Sequence, residues 1–294
     1  MKTLILSSTA ACSLLFTSCG EKVDTGVNKD SLSPEEAVQN WKKDAVDGRV
    51  ASLWDSLPKS YQSDVEGIVH TFGEKADAEV YNEALKTASA AANLLESKKS
   101  IILELIKESA PPNKKDQLAS IEKNYDSIVG LLKAIVDSDA KTIDGLKVLD
   151  IAKFCADIQP HTKTLAELAA IADKDMDISK VKAATVKLLS KSDDKAEVEV
   201  SMEGKKPQKF KVVKVEKRWV PEEMEKDWNK QIGEAKDSVS KVQEMSAVEK
   251  EKVLSAMRLV QAAIKDLESA NTKEELQEKA QKAMGEIMGG LSGR

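Results

Sequence analysis

The chain has 294 residues, of which 41% are hydrophobic, 32% charged and only 4% aromatic, and its formal net charge is −5. That balance makes the chain a poor candidate for binding nucleic acid or anionic lipid, and the scarcity of Gly (13) and Pro (7) reads as long helices with aliphatic cores. Two of the three cysteines fall in the first nineteen residues, so past Cys19 only Cys155 remains and no disulfide framework can staple the fold.

The first eighteen residues read as a signal peptide: Lys2 supplies the charge, Leu4, Ile5, Leu6, Leu14, Leu15 and Phe16 the apolar run, and Thr17-Ser18 the small residues before a cut. The run falls short of the ~20 apolar residues that span a bilayer. Leu15-Phe16-Thr17-Ser18-Cys19 resembles the lipobox of bacterial lipoproteins. The resemblance implies a diacylglyceryl group on the Cys19 thiol, cleavage before it, and a palmitate-type acyl chain on the new amine. Two or three chains, at ~0.8 kcal/mol per buried CH₂, make such an anchor effectively permanent. In that family an Asp after the cysteine signals inner-membrane retention, so Gly20 here implies, through the resemblance, the outer membrane facing the periplasm. Cys12, after Ala10-Ala11, is a rival site with a shorter apolar run before it.

Residues 19–32 lack apolar periodicity and are expected to form a flexible lipidated tether. Ser33-Pro34-Glu35-Glu36 then predicts a helix start, with Ser as N-cap, Pro at N1 and Glu closing a capping box. Val38, Trp41 and Ala45 are its expected inward face, and Gly48 its end. Val50, Leu53, Trp54 and Leu57 predict a second helix, and Tyr61 through Phe72 a third. The stretch from Leu53 to Phe72 is similar to a recurrent segment of uncharacterised exported bacterial proteins, which implies no activity.

Asp77 is a candidate cap for a long helix that breaks near Glu96-Ser97 and stops at Pro111-Pro112. Leu118, Ile121, Tyr125, Ile128, Leu132 and Ile135 form a coiled-coil-like seam, so two long antiparallel helices are expected to join at 110–113. Shorter helices carrying Phe154, Cys155 and Ile158, then Leu165, Leu168 and Ile171, are expected on either side of Pro160.

The period then changes to two. Strands are predicted over 182–189, 196–202 and 210–215, with a turn at Gly204 and Arg218-Trp219-Val220-Pro221 closing the meander. One apolar face predicts helices packed on one side of the sheet. A helix near Ser33 followed by small strands closing on a Trp weakly resembles nuclear-transport-factor-like α+β lipoprotein domains, which implies a binding or scaffold role. Beyond Glu222, seams through Trp228 and Ile232, then Val253 and Ile264, predict helices capped at Ser246 and Thr272, with Gly289-Gly290 ending the last.

The expected fold is therefore α+β and predominantly α-helical: long antiparallel helices with a small antiparallel sheet of three to four strands. Its expected segments are 1–18 signal peptide, 19–32 tether, 33–180 helical region, 181–221 β-meander and 222–294 C-terminal helical hairpin. Reagents for catalysis are few. His70 and His161 are the only histidines, and no CxxC, HExxH, GxSxG, Walker A or GxGxxG motif occurs. No catalytic residue, metal site or cofactor is expected, and Cys155 reads as a buried thiol. The expected function is a non-enzymatic scaffold or protein-binding lipoprotein of the cell envelope, joined to the membrane through Cys19, with a protein partner and no nucleic acid. A small-ligand module with an aromatic-lined pocket near Trp41, Trp54 and Trp219 is the alternative, and the oligomeric state is left open.

Overall fold

The computed structural model describes residues 28–111, 115–172, 178–242 and 245–292, with side chains for all of these but 115–117, 166–172 and 290–292. Cys19, the predicted signal peptide and the tether as far as Val27 lie outside the described residues. The architecture is predominantly helical α+β, with one four-stranded antiparallel sheet in the order β1-β2-β3-β4. The chain divides into two compact units. One comprises the chain up to His70 together with Leu149–Lys241, and the other Thr71–Val148 with the chain from Val242 onward. These units cross the segments expected from sequence order: the helical region of 33–180 is shared between them, and the helix after Pro221 belongs with the sheet.

In the first unit, helix α1 (Pro34–Asp47) begins at the expected capping box. Glu36 N donates to Ser33 Oγ at 3.2 Å and Ser33 N to Glu36 Oε2 at 2.8 Å. It ends at Gly48, whose φ of +66° is the left-handed conformation glycine adopts at little steric cost. Helices α2 (Val50–Asp55) and α3 (Lys59–Lys75) follow, and α3 carries the chain into the second unit.

The inward face of α1 is rotated from the one expected. Ala37 and Asp44 are buried, Val38 and Trp41 half-buried, and Ala45 is exposed. A charged residue has taken an interior position because two cations meet it there.

Strands β1 (Thr185–Lys191), β2 (Lys195–Ser201), β3 (Gln208–Val215) and β4 (Arg218–Pro221) form the sheet. On one face Ala196, Val212 and Trp219 pack with Ala37, Val38 and Trp41 of α1. Each fully buried aliphatic side chain here, Val198 and Val212 among them, contributes on the order of 1.5–3 kcal/mol. The sheet is not covered on one side alone. Helix α10 (Glu222–Ser240) also lies against β3 and β4, whose Val213 and Val220 on the second face are buried. The first strand starts later than expected, because residues 182–183 close helix α9 (Ile178–Ala183), and Lys42 Nζ donates to the carbonyls of Lys182 and Ala184.

Pro160 does not break the chain into two helices as expected. It lies inside one helix, α8 (Ile151–Ala172). An interior proline forfeits one backbone bond and crowds the preceding turn, at ~3 kcal/mol or more. Contacts at the same spot offset it. Thr162 Oγ1 donates to Gly48 O at 2.5 Å and to Gln159 O at 2.9 Å, Ala51 N donates to Gln159 Oε1 at 3.2 Å, and Ile158 and Thr162 are fully buried.

The second unit contains α4 (Ala78–Ser97), α5 (Lys99–Ser109), α6 (Lys115–Asp137), α7 (Ile143–Leu146), α11 (Ala247–Glu268) and α12 (Lys273–Ser292). The break at Ser97, the Asp77 cap and the Ser246 capping box stand where the sequence predicts them. Helix α6 runs antiparallel to α4 and α5, tied by Lys133–Glu96 at 2.5 Å, Lys99–Asp126 at 2.6 Å and Lys107–Glu122 at 2.6 Å. Helix α11 docks on α4 through Gln261, whose amide donates to Glu83 Oε1 and Thr87 Oγ1, both at 2.8 Å. The last helix runs through Gly289 and Gly290 to Ser292, past its expected end.

Candidate anchoring site

Cys19 itself lies outside the described residues, so the nearest part of the predicted anchor is the segment entering α1. Residues 28–32 were expected to belong to a free tether. Instead, Lys29–Ser31 form a 3₁₀ turn, with Asn28 Oδ1 accepting from Asp30 N at 3.0 Å. Three contacts strap this segment to the first unit.

Lys29 is the first, and its side chain is only 4% exposed. Its Nζ lies 3.3 Å from Asp44 Oδ2 and donates to Ser52 Oγ at 3.0 Å, while Ser52 Oγ donates to the same Asp44 oxygen at 2.6 Å. The other Asp44 oxygen is 2.5 Å from Arg49 Nη2. Asp44 of α1 is thus shared by two cations and a hydroxyl, supplied by the strap, the α1–α2 corner and α2. An ion buried this deeply persists only where hydrogen bonds replace its water. Arg49 Nε is buried without a hydrogen-bond partner, so the guanidinium meets the carboxylate through Nη2 rather than Nε.

The second contact is Asp30, whose Oδ1 is 2.7 Å from Arg218 Nε at the start of β4. Arg218 Nη1 also donates to the Asp55 carbonyl, so one guanidinium joins the strap, α2 and the sheet. The third is Trp219, whose Nε1 donates to Leu32 O at 3.0 Å. The strap therefore closes over the core cluster that Trp219 helps to form.

Clefts open elsewhere on the described surface, the first of them bordering the Lys29–Asp44 cluster at Arg49. One of about 280 Å³ is lined by Asp47, Gly48, Arg49, Ala156, Gln159, Pro160 and Lys163. Another, of about 380 Å³, is lined by Ala247, Val248, Glu251 and Lys252 in the second unit. Neither is lined by a tryptophan. Trp54, Trp219 and Trp228 are 4%, 2% and 2% exposed. The Trp228 ring stacks on Tyr61, and its Nε1 donates to Asp64 Oδ2 at 3.1 Å, while Lys236 Nζ donates to Asp64 Oδ1 at 2.7 Å.

Burial pushes the Asp64 carboxyl up, but the hydrogen bonds from Lys236 and Trp228 and the Lys236 charge outweigh it and hold it below its usual value. Burial, with the charges of Glu225, Glu216 and Asp64, pushes the Tyr61 phenol up to about 12.

His70 Nε2 lies 3.0 Å from Leu149 O, a bond that joins the two chain segments at the border of the first unit. Cys155 is buried on α8. Among the described residues no group of three or more His, Cys, Asp or Glu could hold a metal ion, and no helix is long and apolar enough to cross a membrane.

Sequence reasoning missed the whole Lys29 cluster. One signal was readable: Asp44 follows Ala37 and Trp41 at helical spacing, and an aspartate on a buried stripe demands a cation. No family model, curated protein or solved structure matches the chain.

Proposed function

We propose that this protein is a lipid-anchored component of a bacterial cell envelope, with a non-enzymatic scaffold or protein-binding role, held to the outer membrane through Cys19. The observation that supports this reading best is the strap. A protein hung from its N-terminus bears every displacing force at the point where the tether meets the fold. Here that point is fastened by the buried Lys29–Asp44 pair, the Asp30–Arg218 pair and the Leu32–Trp219 bond. From Cys19 to Asn28 the chain can extend about 30 Å, at ~3.3–3.6 Å per residue. The first unit would then work close to the leaflet, where a partner in the envelope could meet its helices.

The test compares wild type with Cys19→Ser by intact mass, membrane partition and crosslinked co-purification. Wild type should carry diacylglyceryl and acyl mass, sediment with membranes and retain a partner that the variant loses. An unmodified Cys19 in a freely soluble wild-type protein would refute the anchored reading. A lipidated protein that captures nothing would refute the scaffold role.

A further inference from the structure

We infer that the strand-bearing part of the first unit is a docking surface for anionic lipid headgroups, seating the domain on the leaflet that holds its anchor. This rests on the anchored reading for its biological setting. Its physical basis is separate, and lies in how the fold sorts charge.

Residues 178–221 carry twelve Lys and Arg against six Asp and Glu, a net of +6 in a chain whose total is −5. Apart from α9, whose Lys180 and Lys182 are counted in that stretch, the helical segments of the same unit are acidic. Residues 28–70 hold five basic against eight acidic side chains, and 222–241 four against six. One face of the sheet packs on the α1 core; Lys187, Lys195, Lys209 and Lys211 fall on the other, while Lys191 and Lys214 stand in register with Ala196 and Trp219 of the core face. Strand register then aligns them. Lys187 and Lys209 flank Glu199 in one row across the sheet, and Ser190 and Lys211 flank Glu197 in the next. The lysines are exposed and the two glutamates half-buried, so cations form the outermost layer. The β2–β3 turn adds exposed Lys205 and Lys206 beside Glu203, turning at Gly204. Lys187, Lys206 and Lys209 make no ion pair among the described residues.

Helix α10 covers only the β3–β4 side of this face, where Glu222 feels Lys211 and Lys195. The β1–β2 side and the turn are left open. The first unit is therefore bipolar, with a cationic sheet and anionic helices. Near a negatively charged surface, such a body is attracted by the first and repelled by the second, and so takes one orientation. Each lysine at the surface contributes roughly fivefold in partition, within a Debye length of about 8–10 Å. A solvated, purely solubilising face would instead mix signs across the whole unit.

The test removes the lipid, so that failure of the anchor and failure of the sheet are read apart. Full-length Cys19→Ser protein is sedimented with vesicles of phosphatidylcholine containing about 40% phosphatidylglycerol, or none. Binding should require the anionic lipid and fall at least tenfold between about 50 and 500 mM salt. Adding Lys187→Glu, Lys206→Glu and Lys209→Glu should reduce partition at least tenfold with an unchanged circular dichroism spectrum. Adding Lys86→Glu, Lys141→Glu and Lys282→Glu, exposed lysines of the second unit, should change it less than twofold. No binding at low salt, or equal loss in the two triple variants, overturns the proposal. Binding of the Cys19→Ser protein to soluble polyphosphate but not to vesicles also overturns it, assigning the face to a soluble polyanion.

Discussion

Lys29 Nζ and Asp44 Oδ2 lie 3.3 Å apart, with 4% and 2% of their side chains exposed, although fifteen residues separate them. The chain outside the helices is thereby fixed to the inside of the fold. Removing the carboxylate leaves two cations facing one another in an apolar site, so Asp44→Ala should destabilise the first unit by about 3–5 kcal/mol. Lys29→Met should cost less, because Asp44 keeps Arg49 and Ser52. It should also expose residues 28–33 to cleavage by a nonspecific protease. All four tryptophans lie in this unit, so urea unfolding followed by their fluorescence isolates it from the other. Equal stability of Asp44→Ala and wild type would show that the cluster holds nothing.

Asp64 receives hydrogen bonds from Trp228 and Lys236 of α10, and it is held ionised below its ordinary value of 3.8. A carboxyl depressed in the folded state stabilises the fold above its unfolded pKa, and that contribution is lost as pH falls through the folded value. Docking of α10 should accordingly weaken below about pH 3.8 and hold steady above it. Asp64→Asn should lower stability at neutral pH by about 1–3 kcal/mol and flatten the acid limb of the curve. Stability measured from pH 6 to pH 2.5 in both proteins checks the sign. A wild-type acid limb no steeper than that of the variant would contradict it.

The Tyr61 ring lies 3.9 Å from that of Trp228, centroid to centroid, with the planes 7° from parallel. Burial and three nearby carboxylates keep its phenol neutral to about pH 12, against 10.0 for a free tyrosine. Folded protein binds the proton that unfolded protein has lost, so stability should fall as pH rises from about 10 towards 12. In an absorbance titration of phenolate, Tyr61→Phe should remove the last-titrating component. Retention of that component would assign it to another tyrosine.

Gly48 and Gly204 share nearly the same left-handed backbone, with φ of +66° and +73°. Only their surroundings differ. A Cβ on Gly48 would lie 2.5 Å from Lys163 Cα and from Thr162 O, whereas one on Gly204 would meet nothing within 4 Å. Gly204→Ala should therefore cost the backbone alone, about 1–2 kcal/mol. Gly48→Ala adds a clash with the main chain of α8, and should cost about 2–4 kcal/mol in total. Thermal unfolding of the two variants under one condition decides whether the close approach matters.

Local chemistry was readable wherever a bond closes within a few residues. The Ser33–Glu36 box, the Asp77 cap, the Ser246–Glu249 box and the glycine at 48 all stand where they were expected. So does the alternation of Ala196, Val198 and Val200 with Glu197 and Glu199, because strand period needs no partner to be seen. Pro160 misled because its cost is local and its compensation is not. Thr162 and Gln159 reach a corner more than a hundred residues earlier in the chain.

The sequence by itself determined most of the helices, their caps and the strand alternation, since each depends on neighbours along the chain. Tertiary structure alone decided that Asp44 rather than Ala45 faces inward, that Lys29 is interior, and that Lys187 of β1 shares one surface with Lys209 and Lys211 of β3. Those outcomes depend on which distant groups meet. A buried charge is tolerable only when a counter-charge arrives from elsewhere, and a row of lysines exists only once register has been set.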